Sequence, residues 1–292
     1  KKVEKRAQNL ALTVLGALEC ADDQVLALES ERHDARGRRI AAVCLERGVQ
    51  RRQGRRDAGA ADRERLQRHI RSGRFGISGF EYNTTPLSPA EGLARQLSAV
   101  RTLREQFGAK ICSANQHDVT GIPWTAVDLL LDSDIELLIM AINLHLSGTP
   151  MPRPAVYRWK GPSGREILVM NGEHYSMFDQ WTEPLSRDLD HIQAGLNRYL
   201  THLKGLNYPY DFVYLSATCA PLAYDNSPPN HDLPELVRRW NDEHRQPRLR
   251  FVTPAELLER IRRIRRESLP VVTGDWTDYW NFGCGSSAAE TR

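Results

Sequence analysis

The first 74 residues of the chain contain no phenylalanine, tyrosine or tryptophan, so all the aromatic residues lie in residues 75–292. A packed core needs large apolar side chains to offset the conformational entropy that the chain loses on folding. The same region is unbalanced in charge, because fourteen arginines and no lysine lie between Arg32 and Arg74. We therefore give residues 1–64 no functional weight and look for chemistry after them.

Three interpretations of residues 1–64 stay open. The segment is a basic arm for nucleic acid or an acidic surface, an ordinary solvated helical region, or a stretch whose reading frame has been lost. The third agrees with its Arg-, Ala- and Gly-rich composition, which an out-of-frame GC-rich gene tends to encode. We treat residues 1–64 as a helical or disordered Arg-rich segment and residues 65–292 as the α/β domain.

Long hydrophobic runs are also missing. No apolar stretch approaches the ~18 residues that span a bilayer, and no basic-then-apolar leader opens the chain. The five cysteines are widely spaced, without CxxC or zinc-finger spacing, which favours reduced thiols. A net charge of +3 does not by itself indicate a nucleic-acid partner. We expect a cytoplasmic protein that binds neither membranes nor nucleic acid, with its oligomeric state, a homo-oligomer included, left open.

Strand and helix patterns alternate from residue 65 onwards. Strand patterns occur at 75–82, 136–142 and 212–215, and an amphipathic helix is predicted at 185–203. This alternation is typical of a mostly parallel sheet or barrel with helices outside it. Such folds bind ligands beyond the carboxyl ends of their strands, so functional residues are expected in the loops that follow strands.

Local signals mark individual elements. Ser88, followed by a proline and by Glu91, predicts a capping box for a helix that ends at Gly108. Residues 156–160 and 166–170 flank the turn sequence Gly-Pro-Ser-Gly and predict a hairpin.

The segment Ala114–Trp124 (ANQHDVTGIPW) carries the sharpest functional signal. It follows a predicted strand and offers a carboxylate at Asp118, an imidazole at His117, two amides and the aromatic ring of Trp124. Carboxylates and amides bind sugar hydroxyls, and aromatic rings pack on the apolar face of a pyranose. The alternative is that Asp118 only caps the next helix, and a distance of five or six residues from the helix start disfavours it.

The motif QHDVTG at 116–121 resembles the nucleophile motif of glycoside hydrolase family 38, the α-mannosidase family. Later segments are similar to the family in order and spacing, among them RWKGPSG at 158–164 and LPVVTGDW at 269–276. The similarity covers residues 68–292. It implies an α/β fold, an incomplete seven-stranded β/α barrel-like domain with mostly parallel strands and outer helices, truncated at both ends.

The resemblance also implies a chemistry. Asp118 would be the nucleophile and a metal ligand in the retaining hydrolysis of α-mannosides, so a carbohydrate is the expected partner. Asp225 is the nearest candidate for the acid, although an Asx turn with Asn226 explains it equally well. The candidate substrate-binding residues, each with a structural role as its alternative, are His117, Trp124, His145, Tyr175, Asp275 and Trp276.

The family's metal site is incomplete in this sequence. The family carries a His-x-Asp pair that supplies two ligands, and no His-x-Asp occurs here. The family's last metal ligand is a histidine beyond the region that ends at Arg292. Of the four metal ligands that the resemblance implies, Asp118 is therefore the one with a counterpart in this sequence. Because one carboxylate holds a divalent ion weakly, we expect zinc or another divalent metal in complete members and weak or no binding here.

Two other functions stay open. A metal-dependent polysaccharide deacetylase uses a similar barrel, but it needs an Asp-Asp pair and closely spaced histidines. The one Asp-Asp pair, Asp22-Asp23, lies in the segment without functional weight, and no His-x3-5-His occurs. An inactive truncated remnant or a sugar-binding pseudoenzyme would agree with the missing metal ligands.

Overall fold

The computed structural model describes residues 9–14, 60–81, 83–119, 121–141, 151–174, 177–217 and 232–277. These residues form two compact units, each described by itself below. The first unit holds the described residues of 9–14, 60–75 and 177–253, and the second those of 76–174 and 254–277. The division into residues 1–64 and 65–292 stays a prediction, and its boundary falls inside a helix at Ala60–Ser72.

The described residues contain ten strands and eight α-helices. In chain order these are β1 (Asn9–Val14), α1 (Ala60–Ser72), α2 (Ala90–Gln96), α3 (Ser98–Phe107), β2 (Ser113–His117), β3 (Gly121–Ile122), α4 (Ala126–Asp132), β4 (Leu137–Ala141), β5 (Ala155–Lys160), β6 (Glu166–Asn171), α5 (Met177–Thr182), α6 (Leu189–Gly205), β7 (Phe212–Ala217), α7 (Leu233–Asp242), β8 (Leu249–Phe251), α8 (Pro254–Arg262), β9 (Val271–Val272) and β10 (Trp276–Thr277). None of these helices is long and apolar enough to cross a lipid bilayer.

The first unit is built on a parallel three-stranded sheet in the order β7-β1-β8. Strand β7 is buried at all six positions and contributes to a hydrophobic core. Helix α6 contributes to the same core with apolar residues repeated at helical spacing, which are Ile192, Leu196, Tyr199 and Leu203.

The predicted helix at 185–203 is confirmed, but it begins later. The carboxylate of Asp188 accepts hydrogen bonds from the amides of Asp190 and His191, so it caps α6 at Leu189. Gly195 on α6 allows close approach to α5, because a Cβ atom there would lie 2.0 Å from the carbonyl oxygen of Trp181.

The second unit contains a five-stranded sheet in the order β2-β4-β6-β5-β9. All pairs are parallel except the β5–β6 hairpin, which the Gly-Pro-Ser-Gly turn correctly predicts. Strand β4 (LLIMA) is buried at every position, as its continuous apolar sequence predicts. A separate antiparallel pair joins β3 to β10.

The α/β class with mostly parallel strands is confirmed. The strands of the described residues lie in three sheets, one in the first unit and two in the second. Closure into a seven-stranded barrel stays a prediction.

The strand predicted at 75–82 is wrong for the described residues 75–81, which form no regular element. The segment still lies along β2. The Gly79 amide donates to the carbonyl of Ser113 (2.8 Å), while the Asn115 amide donates to the Ser78 hydroxyl (3.1 Å). A side chain thus replaces a backbone partner, which interrupts the ladder of a strand.

The predicted capping box at Ser88 is also wrong. Helix α2 begins at Ala90 after Pro89 and has no side-chain cap. The hydroxyl of Ser88 instead lies 2.6 Å from that of Thr84, where the two form a hydrogen bond. The predicted end at Gly108 is confirmed, since this residue closes α3 with a left-handed φ of 65°.

Gly121→Ala should destabilise the second unit. The φ of Gly121 is +116°, and a Cβ atom there would lie 1.9 Å from the Trp276 carbonyl oxygen. We expect the free energy of unfolding to fall by about 2–4 kcal/mol, measured by urea unfolding.

Gly92→Ala is the matched control in the same unit. Its Cβ would meet no atom closer than 3.9 Å, and it lies in helix α2, so this change should raise stability by up to about 1 kcal/mol. Equal urea midpoints for the two variants would contradict the close contact at Gly121.

Candidate functional site

Asp118 is the first residue after β2, at the edge of the sheet where β2 and β4 end together. Its φ is 54°, in the left-handed region that aspartate adopts more readily than most residues. Its amide donates to the carbonyl of Ala141, the last residue of β4, at 2.8 Å. The side chain remains 38% exposed, so the carboxylate is accessible to a ligand.

The residues that follow β6 lie beside Asp118, because β6 is parallel to β4 and ends at the same edge. The Nε2 atom of His174 lies 3.5 Å from Oδ1 of Asp118. The preceding residue, Glu173, forms an ion pair with Arg153 (Oε2 to Nε, 3.7 Å), and both side chains are buried. The Asp118 carboxylate, the His174 imidazole and the Glu173–Arg153 ion pair therefore lie at the end of the sheet where β2, β4 and β6 finish.

His117 lies buried directly before Asp118. Neither of its ring nitrogens has a hydrogen-bond partner among the described residues. The pKa of His117 is lowered to about 3, chiefly by burial. His174 and Arg153 lower this pKa further, whereas the negative charge of Asp118 raises it. The ring is therefore neutral at ordinary pH, and its contact with a substrate stays a prediction.

Trp124 and Asp275 are held by contacts within the second unit. The Trp124 amide donates to Oδ1 of Asp275 (2.6 Å), and its ring Nε1 donates to the Lys160 carbonyl (2.6 Å). These contacts tie the loop after β3 to the approach of β10. Both residues thus have a structural role here, and substrate binding by either stays a prediction.

Trp276 is buried, with 3% of its surface exposed. Its ring packs edge-on against two aromatic rings of β5, with centroid distances of 6.0 Å to Tyr157 and 5.7 Å to Trp159. A stacking role for Trp276 on a sugar likewise stays a prediction. The remaining candidates, Asp225, His145 and Tyr175, lie outside the described residues.

Sequence reasoning did not select His174, Glu173 or Arg153. Glu173 and His174 immediately precede Tyr175, so their position after a predicted strand is a signal that could have identified them. Arg153 carries no such signal, because its approach to Glu173, twenty residues on, depends on how β5 and β6 fold back on each other.

A resident metal does not fit the described residues. In this part of the chain, no group of three or more His, Cys, Asp or Glu side chains is arranged to hold a metal ion. A tight zinc site needs three or four protein ligands. The described residues do not bring such a set together around Asp118.

Residues 55–277 match the family model described as the glycosyl hydrolases family 38 N-terminal domain. The matched span includes Asp118, His174 and every other described residue of the second unit. No curated protein matches the chain by sequence.

Several solved structures are similar to this chain. An α-mannosidase from Enterococcus faecalis V583 is 12% identical over 91% of this chain, with a TM-score of 0.68. A glycosyl hydrolase family 38 protein from Enterococcus faecalis is 11% identical over 91%, with a TM-score of 0.61. The match covers only 30% and 28% of those two proteins. A 4-α-glucanotransferase from Thermococcus litoralis is 12% identical, with a TM-score of 0.52 and coverage of 84% and 35%. At these identities the likeness shows the fold alone.

The low pKa of His117 predicts a loss of stability in acid. The folded chain takes up this proton only near pH 3, whereas the unfolded chain takes it up near the ordinary value of 6.5. Between these values the unfolded chain binds more protons, so the free energy of unfolding falls as the pH falls below about 6.5.

His117→Gln should remove this contribution. Urea unfolding of the parent and the variant, at neutral pH and at about pH 5, measures the effect. The free energy of unfolding should change less between the two pH values in the variant than in the parent. An equal difference in both proteins would show that His117 is not the group responsible.

Proposed function

Because the chain belongs to glycosyl hydrolase family 38, we propose that it is a glycosidase of the α-mannosidase type that cleaves α-mannosides through Asp118. One observation carries the proposal. Within the family match, Asp118 presents an accessible carboxylate at the carboxyl end of the buried strand β2. Ligands of parallel α/β folds bind at that end of the strands.

The proposed reaction is retaining hydrolysis in two steps. The Asp118 carboxylate attacks the anomeric carbon while the glycosidic C–O bond breaks, and the leaving oxygen takes a proton from an acid. A water molecule then attacks the same carbon, gives its proton to the group that acted as the acid, which is now a base, and releases Asp118 as a carboxylate. The left-handed backbone at Asp118 supports this role, because it ends the extended conformation of β2 and with it the alternation of side chains between the two faces of the sheet.

The neighbouring groups suit a nucleophilic carboxylate. The Nε2 atom of His174 lies 3.5 Å from Oδ1 of Asp118, so the imidazole is a polar neighbour of the carboxylate. His117, directly before Asp118, is buried and neutral and so adds no positive charge of its own beside the carboxylate.

Asp225 remains our candidate for the acid, on the resemblance alone. In a retaining enzyme its carboxyl group would lie about 5–5.5 Å from that of the nucleophile. Carbohydrate is the proposed partner, and a cytoplasmic location without nucleic-acid or membrane partners remains a proposal. The family membership favours glycoside hydrolysis over the deacetylation of polysaccharides.

Asp118→Asn should lower the hydrolysis of an aryl α-mannoside by about a thousandfold or more, because the amide cannot act as the nucleophile. Initial rates measure the effect, and proton NMR of the first sugar anomer released tests for retention. An Asp118→Asn variant as fast as the parent would show that another residue attacks.

Asp134→Asn is the matched control. Asp134 is also an exposed aspartate of the second unit with a positive φ, of 53°, so the same chemical change is made in the same backbone conformation. It should keep the parental rate. A parent chain without hydrolysis that still binds mannosides in calorimetry would instead support the sugar-binding pseudoenzyme.

We propose that the chain binds zinc weakly by itself, because within the described residues Asp118 is not part of a group of three or more metal-ligating side chains. After dialysis against zinc and then metal-free buffer, elemental analysis should find far less than one equivalent. A full equivalent in the parent that is lost in Asp118→Asn would contradict this and place a metal at the carboxylate.

A further inference from the structure

We propose that Asn83 is a positioning residue that fixes the peptide unit presenting Asp118. The proposal rests on the proposed function of Asp118 and extends it to a residue outside the nucleophile motif. Asn83 lies more than thirty residues before Asp118 in the chain, and its exposed side chain is not part of the core.

The peptide bond between His117 and Asp118 is held on both sides. Its N–H donates to the carbonyl of Ala141 (2.8 Å), and its C=O accepts a hydrogen bond from Nδ2 of Asn83 (3.0 Å). Strand β2 is the outer strand of its five-stranded sheet, with β4 as its neighbour. The carboxamide of Asn83 therefore supplies, on the side of β2 opposite β4, the partner that another strand would otherwise give, in line with the bonds of Gly79 and Ser78 to the same side.

Asn83 is itself held in place. The amide of the next residue, Thr84, donates to Oε1 of Gln116 (2.8 Å), and Gln116 is fully buried. The Thr84 hydroxyl is bonded to that of Ser88 (2.6 Å). Residues 83 and 84 are thus attached to residues 117 and 116, so the backbone that carries the carboxamide cannot move away without breaking a buried hydrogen bond.

The backbone at Asp118 explains why this support matters. A residue other than glycine at a positive φ is strained and persists only where its surroundings hold it. With both polar groups of the preceding peptide engaged, rotation about the N–Cα bond of Asp118 is confined. A nucleophile must be placed closely against the reacting carbon, so loss of the Asn83 bond should misplace the carboxylate.

The first experiment needs no substrate. Asn83→Leu removes the donor at similar size, and we expect the Asp118 amide to exchange with deuterium about tenfold faster, measured by NMR. Thr85→Val is the matched control, because it removes the hydroxyl that accepts from Leu87 in the same turn. It should leave the exchange at Asp118 unchanged. Parental exchange in Asn83→Leu, or an equal rise throughout β4, would overturn the proposal.

The second experiment measures kcat and KM on an aryl α-mannoside. Asn83→Leu should lower kcat about tenfold with KM changed less than about twofold, since orientation rather than binding is lost. Asn83→Gln, which keeps the carboxamide, should restore part of kcat. Parental kcat in Asn83→Leu would overturn the positioning role, whereas an inactive parent chain would overturn the proposed function and leave the exchange result to decide.

Discussion

The parallel pairing of β2 with β4 is the constraint on which the site depends. The register sets His117 beside Ala141, and the pairing continues one residue further, where the Asp118 amide reaches the Ala141 carbonyl. That last bond fixes where the strand stops and where the left-handed turn begins. The pairing of β4 with β6 then brings His174 to the same edge. A shift of register by one residue would reverse the faces of β2 and remove the bond from the Asp118 amide to Ala141.

Much of this fold can be predicted from local sequence. The apolar run of β4 and the turn between β5 and β6 predict the elements that form, because burial and glycine geometry act over a few residues. The strand expected at 75–82 does not form in its described part, since the segment bonds to Asn115 through the side chain of Ser78 and to the Ser113 carbonyl, each more than thirty residues away. Hydrogen bonds of that kind leave no periodic pattern in the sequence.

The candidate site divides in the same way. Asp118 is selected from its motif, because a carboxylate in the loop after a predicted strand is a local feature. The neighbours of Asp118 cannot be selected in this way. Arg153 reaches Glu173 only through the order of the strands, and Asn83 reaches His117 only through the path of an irregular segment. Trp276, selected as an aromatic near an acid, packs against two rings of β5, and its contact with a sugar stays a prediction. Composition could not distinguish a sugar platform from a packing residue.

The short pair β3–β10 has a consequence for biosynthesis. The loop that carries Asp118 leads into β3, which pairs with β10 through Ile122 and Trp276. Asp275 also accepts a hydrogen bond from the Trp124 amide, 151 positions earlier in the chain. A ribosome must therefore synthesise the chain as far as residue 277 before this loop acquires the restraint that β10 supplies. Until β10 emerges, the nascent chain carries the Asp118 carboxylate on a loop that lacks this pairing.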